Sequence, residues 1–186
     1  MEVIKTEIED VVIIEPRLFK DERGYFFGEF LKGSSTKKVC HVTFVQDNES
    51  MSSYGVMRGL HFQRPPFTQA KLVRCVKGAV LDVAVDIRKG SPTYGRHVAV
   101  ELTEDNHRQF FIPKGFCTRI RRTQRDRNVP VQSAMRFYHP EADGGISILD
   151  GSLGIDWCIP TEHAILSEKD TKHPLLKDFE SPFIYK

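Results

Sequence analysis

Short apolar segments, rich in valine, isoleucine and phenylalanine, recur along the whole chain and are separated by glycine and proline. They read VVIIEP, YFFGEF, VTFVQ, GVMRGLHF, KLVRCV, AVLDVAVDI, HVAVEL, RQFFIP and GISIL. Segments of this length and composition are typical of strands in an all-β sandwich or barrel. No segment longer than about three turns keeps an apolar period of about 3.6 residues, so we predict little helix.

The segment AVLDVAVDIR has the most regular alternation of apolar and polar residues. Successive side chains of a strand point to opposite faces of the sheet. One predicted face holds Leu81, Val83, Val85 and Ile87, and the other holds Asp82, Ala84, Asp86 and Arg88. We expect the first face to pack in the core and the second to contact solvent.

Two connecting segments carry further structural predictions. In KLVRCVKGAVLDV, the pair Lys77 and Gly78 favours a hairpin turn, because glycine adopts the positive φ angle that tight turns need. The final segment, LSEKDTKHPLLKDFESPFIYK, mixes polar and aromatic residues. We expect this segment to wrap around the domain.

Length and composition indicate one globular domain in a reducing compartment. The 186 residues are 40% hydrophobic, so we expect a single domain over residues 1–186, with both terminal extensions packed on it. The cysteines at positions 40, 75, 117 and 158 form no CxxC pair and no dense disulfide pattern. The acidic N-terminal segment contains only the short apolar run VVII, which predicts neither a signal peptide nor a membrane span. We therefore expect a cytoplasmic protein without a membrane partner.

Positive charge is concentrated in one segment of the chain. The net charge is +2, but residues 117–136 contain six arginines and one aspartate, which leaves the remainder at −3. Such a cluster fits a nucleic-acid surface, a solvated loop or a stretch that is foreign to the fold. The charge of the remaining chain indicates no particular class of partner.

His61, in the motif MRGLHFQ, is the first candidate for chemistry. On a regular strand His61 shares a face with Gly59 and Gln63, and the glycine lets another group approach the sheet. A single histidine of this kind is most often a partly buried side chain with a satisfied hydrogen bond. Metal-binding β-barrels usually carry an HxH pair, but the second position here is Gln63. We therefore predict no metal at this motif.

Polar residues also cluster at the ends of predicted strands, in DERGYFF, FVQDNES, QAKLVR and HPEADGG. Asp47 and Asn48 are common turn formers, and Arg23 lies among acidic residues as in a solvated loop. Lys71 taken alone is an ordinary surface lysine. Only the joint occurrence of these motifs points to a function.

Together the motifs resemble a known family. DERGYFF, FVQDNES, GVMRGLHFQ, KLVRCVKGAVLDVAVDIRKGSPTYG, RQFFIPKGF, FYHPEADGGI, LGIDW and LSEKD have the order and spacing found in dTDP-4-dehydrorhamnose 3,5-epimerases. The likeness extends from about Ile13 to Lys177. It implies a cupin-type jelly roll, a homodimer and no cofactor. It also implies conversion of dTDP-4-dehydro-6-deoxy-D-glucose to dTDP-4-dehydro-L-rhamnose, in dTDP-L-rhamnose biosynthesis.

The resemblance implies three catalytic residues. Protons on carbons beside a ketone become acidic when the enolate oxygen is stabilised, so epimerisation needs a base, a cation or donor near O4, and an acid on the opposite ring face. His61 matches the base, and Asp170 matches the carboxylate that orients its imidazole. Lys71 matches the cation near O4.

The resemblance also implies a set of residues that bind the sugar nucleotide. Cations suit a diphosphate, and an aromatic ring can stack on thymine. The matching positions are Arg23, Arg58 and Lys169 for the cations, Gln46, Asp47 and Asn48 for a polar strip along the nucleotide, Tyr138 for the ring, and Asp143 for an acidic contact. On an ideal strand Arg58 and His61 lie on opposite faces, so a bulge or a strand end is needed if both reach the ligand.

The arginine-rich segment departs from the family. After IPKGF the family continues with a stretch like AHGFAVLSETAMFQYK, which supplies a second active-site histidine and the tyrosine that acts as general acid. Here Thr118 stands at the histidine and Val131 at the tyrosine. Synonymous codons for the family stretch, read out of frame after one added nucleotide, give the sixteen residues from Cys117 to Gln132. A weaker correspondence of this kind exists at residues 28–38.

We therefore hypothesise that both segments are out-of-frame readings and that the arginines indicate no nucleic-acid site. If residues 117–136 belong to the protein, burial of unpaired arginines on a core strand would cost several kcal/mol each. In that case we expect the segment to leave the sheet as a loop, in an unstable or inactive protein.

Three alternatives to the 3,5-epimerase remain open. A related enzyme that epimerises only C3 or C5 of a deoxysugar nucleotide would carry the same motifs. A non-catalytic cupin that binds sugar nucleotides would explain the absent histidine and tyrosine. A nucleic-acid-binding protein would show a steep loss of affinity with salt.

Overall fold

The computed structural model describes residues 1–28, 44–122, 129–135, 137–158, 160 and 163–186. Within these ranges the chain forms strands and short 3₁₀ turns, and it forms no α-helix, which confirms the prediction of an all-β chain with little helix. The strands are β1 (Glu2–Lys5), β2 (Val12–Glu15), β3 (Phe19–Asp21), β4 (Gly24–Phe26), β5 (Gln46–Ser52), β6 (Val56–Gln63), β7 (Lys71–Cys75), β8 (Ala79–Asp86), β9 (His97–Thr103), β10 (Gln109–Ile112), β11 (Phe116–Arg122), β12 (Val129–Met135), β13 (Asp143–Gly145) and β14 (Ile165–Leu166). The 3₁₀ turns include Pro140–Ala142, Gly151–Leu153, Asp170–Lys172 and Leu176–Asp178.

Most of the strands form two large sheets. The first has the order β1-β2-β10-β7-β12-β5, and the second has the order β13-β6-β11-β8-β9 with β14 beside β6. Neighbouring strands are antiparallel except β14, which runs parallel to β6. Strands β3 and β4 form a separate two-stranded hairpin. Because sequence neighbours often lie in different sheets, the chain crosses repeatedly between the two layers.

A hydrophobic core joins the two large sheets. Val73 and Phe110 come from the first sheet, and Val80, Ala84 and Val98 come from the second. All five side chains are buried, as expected for residues between two packed sheets.

A second core covers the outer face of the second sheet. Val83 and Val85 of β8 pack there with the C-terminal aromatic residues Phe179 and Phe183. Phe183 lies edge-on to Phe62, with ring centroids 5.5 Å apart. The Lys89 amide donates to the Phe183 carbonyl at 2.8 Å, so the last segment packs against the end of β8.

The expectation that one face of β8 contacts solvent is wrong. Asp82, Ala84 and Asp86 are each 0% exposed, because their face is turned toward the first sheet while the other face lies under the C-terminal segment. Arg88 follows the strand and is largely buried as well. Strand β8 is therefore covered on both sides.

The predicted hairpin at Lys77 and Gly78 is also wrong. Strand β7 ends at Cys75 and β8 begins at Ala79, but the two strands belong to different sheets. Gly78 does have the expected positive φ angle, of 78°. The short connection turns the chain from one layer to the other, so β7 pairs with β10 and β12, and β8 pairs with β11 and β9.

The arginine-rich segment does not leave the sheet in its described parts, contrary to our expectation. Strand β11 lies between β6 and β8, and β12 lies between β7 and β5. Backbone pairing on both sides holds β11 in place and carries Arg119 and Arg121 inward, where they are 1% and 2% exposed. Residues 123–128 and 136, and residues 29–38 of the other displaced segment, lie outside the described residues.

Arg119 is a buried cation without an ordinary partner. Its guanidinium carbon lies 4.0 Å from the ring centroid of Trp157, and within the described part of the chain none of its side-chain nitrogens has a hydrogen-bond acceptor. Burial lowers the pKa of Arg119 to about 9, although the charge of Asp170 opposes the shift. Arg121 donates to the carbonyl oxygens of Trp157 and Cys158. The burial of a poorly paired charge, which a loop would have avoided, therefore occurs at Arg119.

Two further observations concern disulfide bonds and membrane-spanning helices. Cys75, Cys117 and Cys158 form no disulfide. No described helix is long and apolar enough to span a membrane.

Candidate active site

A β-bulge in β6 sets the direction of the candidate base. Thr118 of β11 faces His61, whereas Ile120 faces Arg58, so β6 has one residue more than its partner between these pairs. Gly59 lies at this point with a φ angle of 90°, and a Cβ atom there would lie 2.8 Å from the His61 amide nitrogen. The bulge therefore needs glycine. On a regular strand Arg58 and His61 would lie on opposite faces. The bulge is the irregularity needed for both side chains to reach one ligand.

His61 and Asp170 form a close pair. His61 Nε2 lies 2.5 Å from Asp170 Oδ1, although the two residues are 109 positions apart in the sequence. The Asp170 side chain is 4% exposed and the His61 side chain 30% exposed. Burial alone would raise the pKa of Asp170, but the hydrogen bond from Ser167 and the charge of His61 outweigh it and lower this pKa below its usual value. An ionised Asp170 holds a proton on Nε2 and leaves the lone pair of Nδ1 for a substrate.

His173 is a further member of this site that the sequence analysis missed. Its ring lies edge-on to that of His61, with centroids 5.5 Å apart. It packs over Gly145 of β13, where a Cβ atom would lie 2.6 Å from His173 Nε2. Burial and the charge of His61 both lower the pKa of His173, so its imidazole is held in the neutral form. The only sequence signal is its position three residues after Asp170.

Lys71 lies beside His61 on the interior of the fold. Lys71 Nζ donates to Thr118 Oγ1, and Thr118 is the direct cross-strand neighbour of His61. Burial lowers the pKa of Lys71, and the charge of Asp82 partly opposes this shift. Thr118 therefore links the Lys71 ammonium to the neighbouring strand that carries His61.

Asp82 is the second residue that the sequence analysis did not assign to the site. It is 0% exposed, and neither carboxylate oxygen has a hydrogen-bond partner among the described residues. Burial raises the pKa of Asp82 to about 8, although the positive charge of Lys71 lowers it in part. A polar residue on a strand that is covered on both faces indicates a buried polar site. The sequence did not identify Asp82 in this way, because its face was expected to contact solvent.

Part of the predicted nucleotide strip is brought together. Gln46 Nε2 donates to Asn48 Oδ1 at 3.1 Å, and Gln46 Oε1 accepts from the Tyr138 amide at 3.0 Å. Asp47 lies on the opposite, exposed face of β5, because it falls between these two residues in the alternation. The Tyr138 side chain is half exposed.

An aromatic cavity of about 260 Å³ lies next to Tyr138. Phe67 and His139 stack in its wall, with ring centroids 3.7 Å apart. Pro66 and Phe137 complete the lining. Its size and composition suit a flat ring.

Asp143, the first residue of β13, forms an ion pair with Lys169. Lys169 Nζ donates to Asp143 Oδ2, and Gln63 Nε2 donates to Asp143 Oδ1 at 3.3 Å. Asp143 pairs with Gln63 across the strands, and Gly145 pairs with His61 two residues further on. The Asp143–Lys169 pair therefore lies along the same strand edge as the His61–Asp170 pair.

The two predicted arginines have other contacts. Arg23 forms an exposed ion pair with Asp21 at 2.6 Å, on the separate β3–β4 hairpin. Arg58 Nε donates to Ser52 Oγ at 3.0 Å, at the end of β5. None of the hydrogen bonds described for these arginines joins them to His61, Lys71 or Asp170.

The site therefore brings together the His61–Asp170 pair and Lys71, which is bonded to the cross-strand neighbour of His61. A base and a nearby cation can together remove a proton from a carbon next to a carbonyl group, because the cation stabilises the enolate. Together with the two packed antiparallel sheets, this arrangement defines a cupin-type jelly roll built for proton transfer.

Comparison with known proteins identifies the family. The family model described as dTDP-4-dehydrorhamnose 3,5-epimerase matches residues 5–178. The dTDP-4-dehydrorhamnose 3,5-epimerase of Methanothermobacter thermautotrophicus is 45% identical over 94% of each chain, and that of Escherichia coli is 47% identical over 92% of each. The chain belongs to the dTDP-4-dehydrorhamnose 3,5-epimerase family, a family of isomerases that act on carbohydrates.

A solved structure extends this similarity to the fold. The crystal structure of a dTDP-6-deoxy-D-glucose-3,5-epimerase from Legionella pneumophila, in complex with dTDP-4-keto-L-rhamnose, is 41% identical to this chain. The two superpose with a TM-score of 0.93 over 100% of this chain and 98% of the other. The predicted cupin-type jelly roll and the resemblance to the epimerase family are thus confirmed.

Proposed function

We propose that His61, Asp170 and Lys71 carry out cofactor-independent epimerisation of dTDP-4-dehydro-6-deoxy-D-glucose at C3 and C5. The observation that carries the proposal is the 2.5 Å contact between His61 Nε2 and Asp170 Oδ1, with Lys71 bonded to Thr118, the cross-strand neighbour of His61. In this proposal His61 Nδ1 removes the proton from the carbon next to the ketone. Asp170 stabilises the resulting imidazolium, and Lys71 stabilises the negative charge that develops on O4.

In this proposal the thymine ring of the nucleotide binds beside the aromatic residues of the site. Tyr138 and the cavity lined by Phe67 and His139 suit stacking on thymine. Gln46 and Asn48 lie next to Tyr138 and provide amide groups for the polar edge of the nucleotide. Lys169 and Arg58 are the cations proposed for the diphosphate, joined by Arg23, and Asp143 and Asp47 are the proposed acidic contacts.

Inversion also requires an acid on the face of the sugar opposite to the base. The family resemblance places a tyrosine at the position of Val131, whose backbone lies in β12 between Ser50 and Cys75. Valine cannot donate a proton. We infer that a chain with Val131 removes and returns a proton on one face, so that exchange with solvent outpaces inversion.

Deuterium incorporation tests this proposal. When dTDP-4-dehydro-6-deoxy-D-glucose is incubated with the protein in D₂O, NMR should detect deuterium at C3 and C5. A chain that carries Val131 should show this exchange with little dTDP-4-dehydro-L-rhamnose, whereas a chain that carries the family tyrosine should also form the epimerised sugar. His61→Gln should slow the exchange by about 10²-fold or more, because it removes the base. Thr118→His combined with Val131→Tyr should raise the yield of the epimerised sugar.

The same assay separates the remaining alternatives. Deuterium at only one of C3 and C5 would indicate a single-carbon epimerase. Tight binding of the dTDP-sugar without exchange would indicate a binding protein and contradict the proposed chemistry. Arg119 and Arg121 are buried and cannot reach a phosphate backbone, so these two arginines of the cluster do not support nucleic-acid binding.

Two structural observations support the hypothesis of a displaced reading frame. Arg119 is buried without a hydrogen-bond acceptor, and Asp82 is a buried carboxylate without a donor, within the described part of the chain. Both lie on or next to β11. A proteolytic mass map of the purified protein between Ile112 and Gly144 should therefore contain an AHGF-like peptide. Peptides that read CTRIRRTQRDR would reject the hypothesis.

We further propose that the protein is a cytoplasmic homodimer. The β3–β4 hairpin exposes Phe19, Tyr25 and Phe26, by 55%, 58% and 72%, which is unusual for aromatic residues on one small sheet. A second copy of the chain is the proposed cover for this surface. Analytical ultracentrifugation should give twice the mass of one chain, and Phe26→Ser should lower it toward the monomer.

A further inference from the structure

We propose that His61, Asp170 and His173 form a binding site for a divalent transition-metal ion such as Zn²⁺, and that occupation of this site blocks the base. Each residue offers one ligand atom, and the three atoms lie within 4.8 Å of one another. Two imidazoles and one carboxylate are a donor set that suits zinc and related ions. The inference goes beyond the proposed epimerisation, which uses no metal.

His173 provides the main structural argument. Its Nε2 is buried and has no hydrogen-bond partner among the described residues. A buried polar atom without a partner is destabilised relative to a solvated one, so the nitrogen favours a ligand that can reach it. Gly145 leaves the room that this ring occupies, because a Cβ atom there would lie 2.6 Å from Nε2.

The ring of His173 is also held in place by its neighbours. The carbonyl of the next residue, Pro174, accepts a 2.7 Å hydrogen bond from the Ser147 amide, which ties the segment to the end of β13. Asp170 is anchored by the hydrogen bond from its own amide to the Ser167 carbonyl, at 3.0 Å. Two of the ligands are thus fixed on one short segment, and the third comes from β6.

The site is accessible to an ion from solvent. The His61 side chain is 30% exposed, whereas Asp170 is buried beneath it. Nearby positive charge opposes binding, since Lys169 and Arg119 both act electrostatically on members of the cluster. Lys169 is largely neutralised by its ion pair with Asp143. Arg119, and Lys71 linked to His61 through Thr118, are expected to weaken the site without removing its ligands.

No sequence motif indicates this site, because its ligands come from separate segments of the chain. The familiar HxH pair is interrupted by Gln63, and the second histidine comes from the C-terminal segment. Only the fold brings His173 to His61.

Calorimetric titration with Zn²⁺, and absorption spectroscopy with Co²⁺ as a visible probe, test the inference on the full chain without sugar nucleotide. We expect one ion per chain in the wild type and an affinity lower by about tenfold or more in His173→Gln. The matched control is His139→Gln, because His139 Nδ1 lies 2.9 Å from Glu141 Oε1 in an exposed pair that has no second imidazole. This control should bind the ion as the wild type does.

A second measurement needs no variant and guards against misfolding of His173→Gln. Zn²⁺ should protect His61, whose side chain is 30% exposed, but not His139, from carbethoxylation mapped by mass spectrometry. Failure of the wild type to bind Zn²⁺, equal affinity in His173→Gln, or equal modification of His61 with and without Zn²⁺ would each overturn the inference. Since no substrate is present, none of these results bears on the epimerase chemistry.

Discussion

Two aspartates on the same strand have the same burial but opposite environments. Asp82 and Asp86 are both 0% exposed and, four residues apart on β8, both point toward the first sheet. Asp86 accepts hydrogen bonds from Arg88, Ser91 and Thr93, which outweigh the effect of burial and lower its pKa. Asp82 has no hydrogen-bond donor among the described residues, and burial raises its pKa to about 8.

The difference lies in where the partners of each aspartate come from. The partners of Asp86 come from the loop directly after β8, so local sequence satisfies the charge. Asp82 instead faces Lys71 at the candidate site.

The β11–β8 register places Thr118 and Ile120 opposite Ala84 and Asp82, so a longer side chain at Thr118 would lie on the same face as Asp82. A histidine there would supply the missing donor.

The largest expected effect comes from breaking the satisfied pair. Asp86→Ala should lower the free energy of unfolding by about 3–5 kcal/mol, because it leaves Arg88 largely buried without its main partner. Urea denaturation at neutral pH measures the loss. The matched control is Asp10→Asn, since Asp10 contacts the same arginine at 2.6 Å but its side chain is 51% exposed.

The control should cost far less than the test variant. An exposed ion pair contributes about 0–1 kcal/mol, because water already solvates the carboxylate. If Asp10→Asn and Asp86→Ala were equally destabilising, burial and hydrogen bonding of Asp86 would not explain its role.

The next effect concerns Asp82 and depends on pH. Its pKa is 3.8 when solvated and about 8 in the fold, so between these values the native state keeps a proton that the unfolded state releases. Stability should therefore fall as pH rises, by about 1.4 kcal/mol per pH unit, or about 3 kcal/mol from pH 5 to pH 7. Asp82→Asn should remove this contribution and be more stable than the wild type at pH 7.

Urea denaturation of both proteins from pH 5 to pH 8 measures this difference. The gain in the free energy of unfolding for Asp82→Asn should grow with pH up to about pH 8 and then level off. Parallel pH profiles for the two proteins would show that Asp82 is paired and ionised in the native state.

These two aspartates also show how far the sequence can be interpreted. Alternation in AVLDVAVDIR correctly indicates which residues share a face, because that follows from strand geometry alone. It does not indicate what covers each face, so it predicts solvent around Asp82 and Asp86 where the fold places the first sheet. The coverage depends on the crossing at Gly78, and a glycine turn has the same sequence in a hairpin as in a crossing between sheets.

The candidate site divides in the same way. His61 is visible as an unusual residue in its own motif, but its contact with Asp170 spans 109 positions and was expected only from the family resemblance. His173 was not found at all, because its contact with His61 depends on how the C-terminal segment packs. Short-range patterns thus identify candidate side chains, and tertiary packing decides which of them meet.

Arg119 gives a third and smaller effect, of the opposite sign to that of Asp86→Ala. Arg119→Met should raise the free energy of unfolding by about 1–3 kcal/mol, because it removes a buried cation that has no hydrogen-bond acceptor and keeps a side chain that packs on Trp157. Thermal and urea denaturation measure the gain. Arg96→Met, at an exposed position, should change stability little.

A loss of stability in Arg119→Met would mean that the contact with Trp157 outweighs the cost of burying the charge. Cation–π contacts reach about 2 kcal/mol when desolvated, so this outcome is measurable. It would also remove one of the two observations that support a displaced reading frame.

The smallest expected effect on stability is that of substituting Arg23, because the proposed role of this residue is to bind the nucleotide. Its ion pair with Asp21 is exposed, so Arg23→Met should leave the unfolding transition unchanged. If Arg23 holds the diphosphate, the same variant should weaken dTDP binding by about tenfold, the usual effect of losing one hydrogen bond to a charged group. Arg17→Met is the matched control, because Arg17 is an exposed arginine near the same hairpin, with its guanidinium 5.1 Å from the Phe19 ring centroid. Calorimetric titration that finds equal losses in both variants would mean that general positive charge, and not Arg23 itself, attracts the nucleotide.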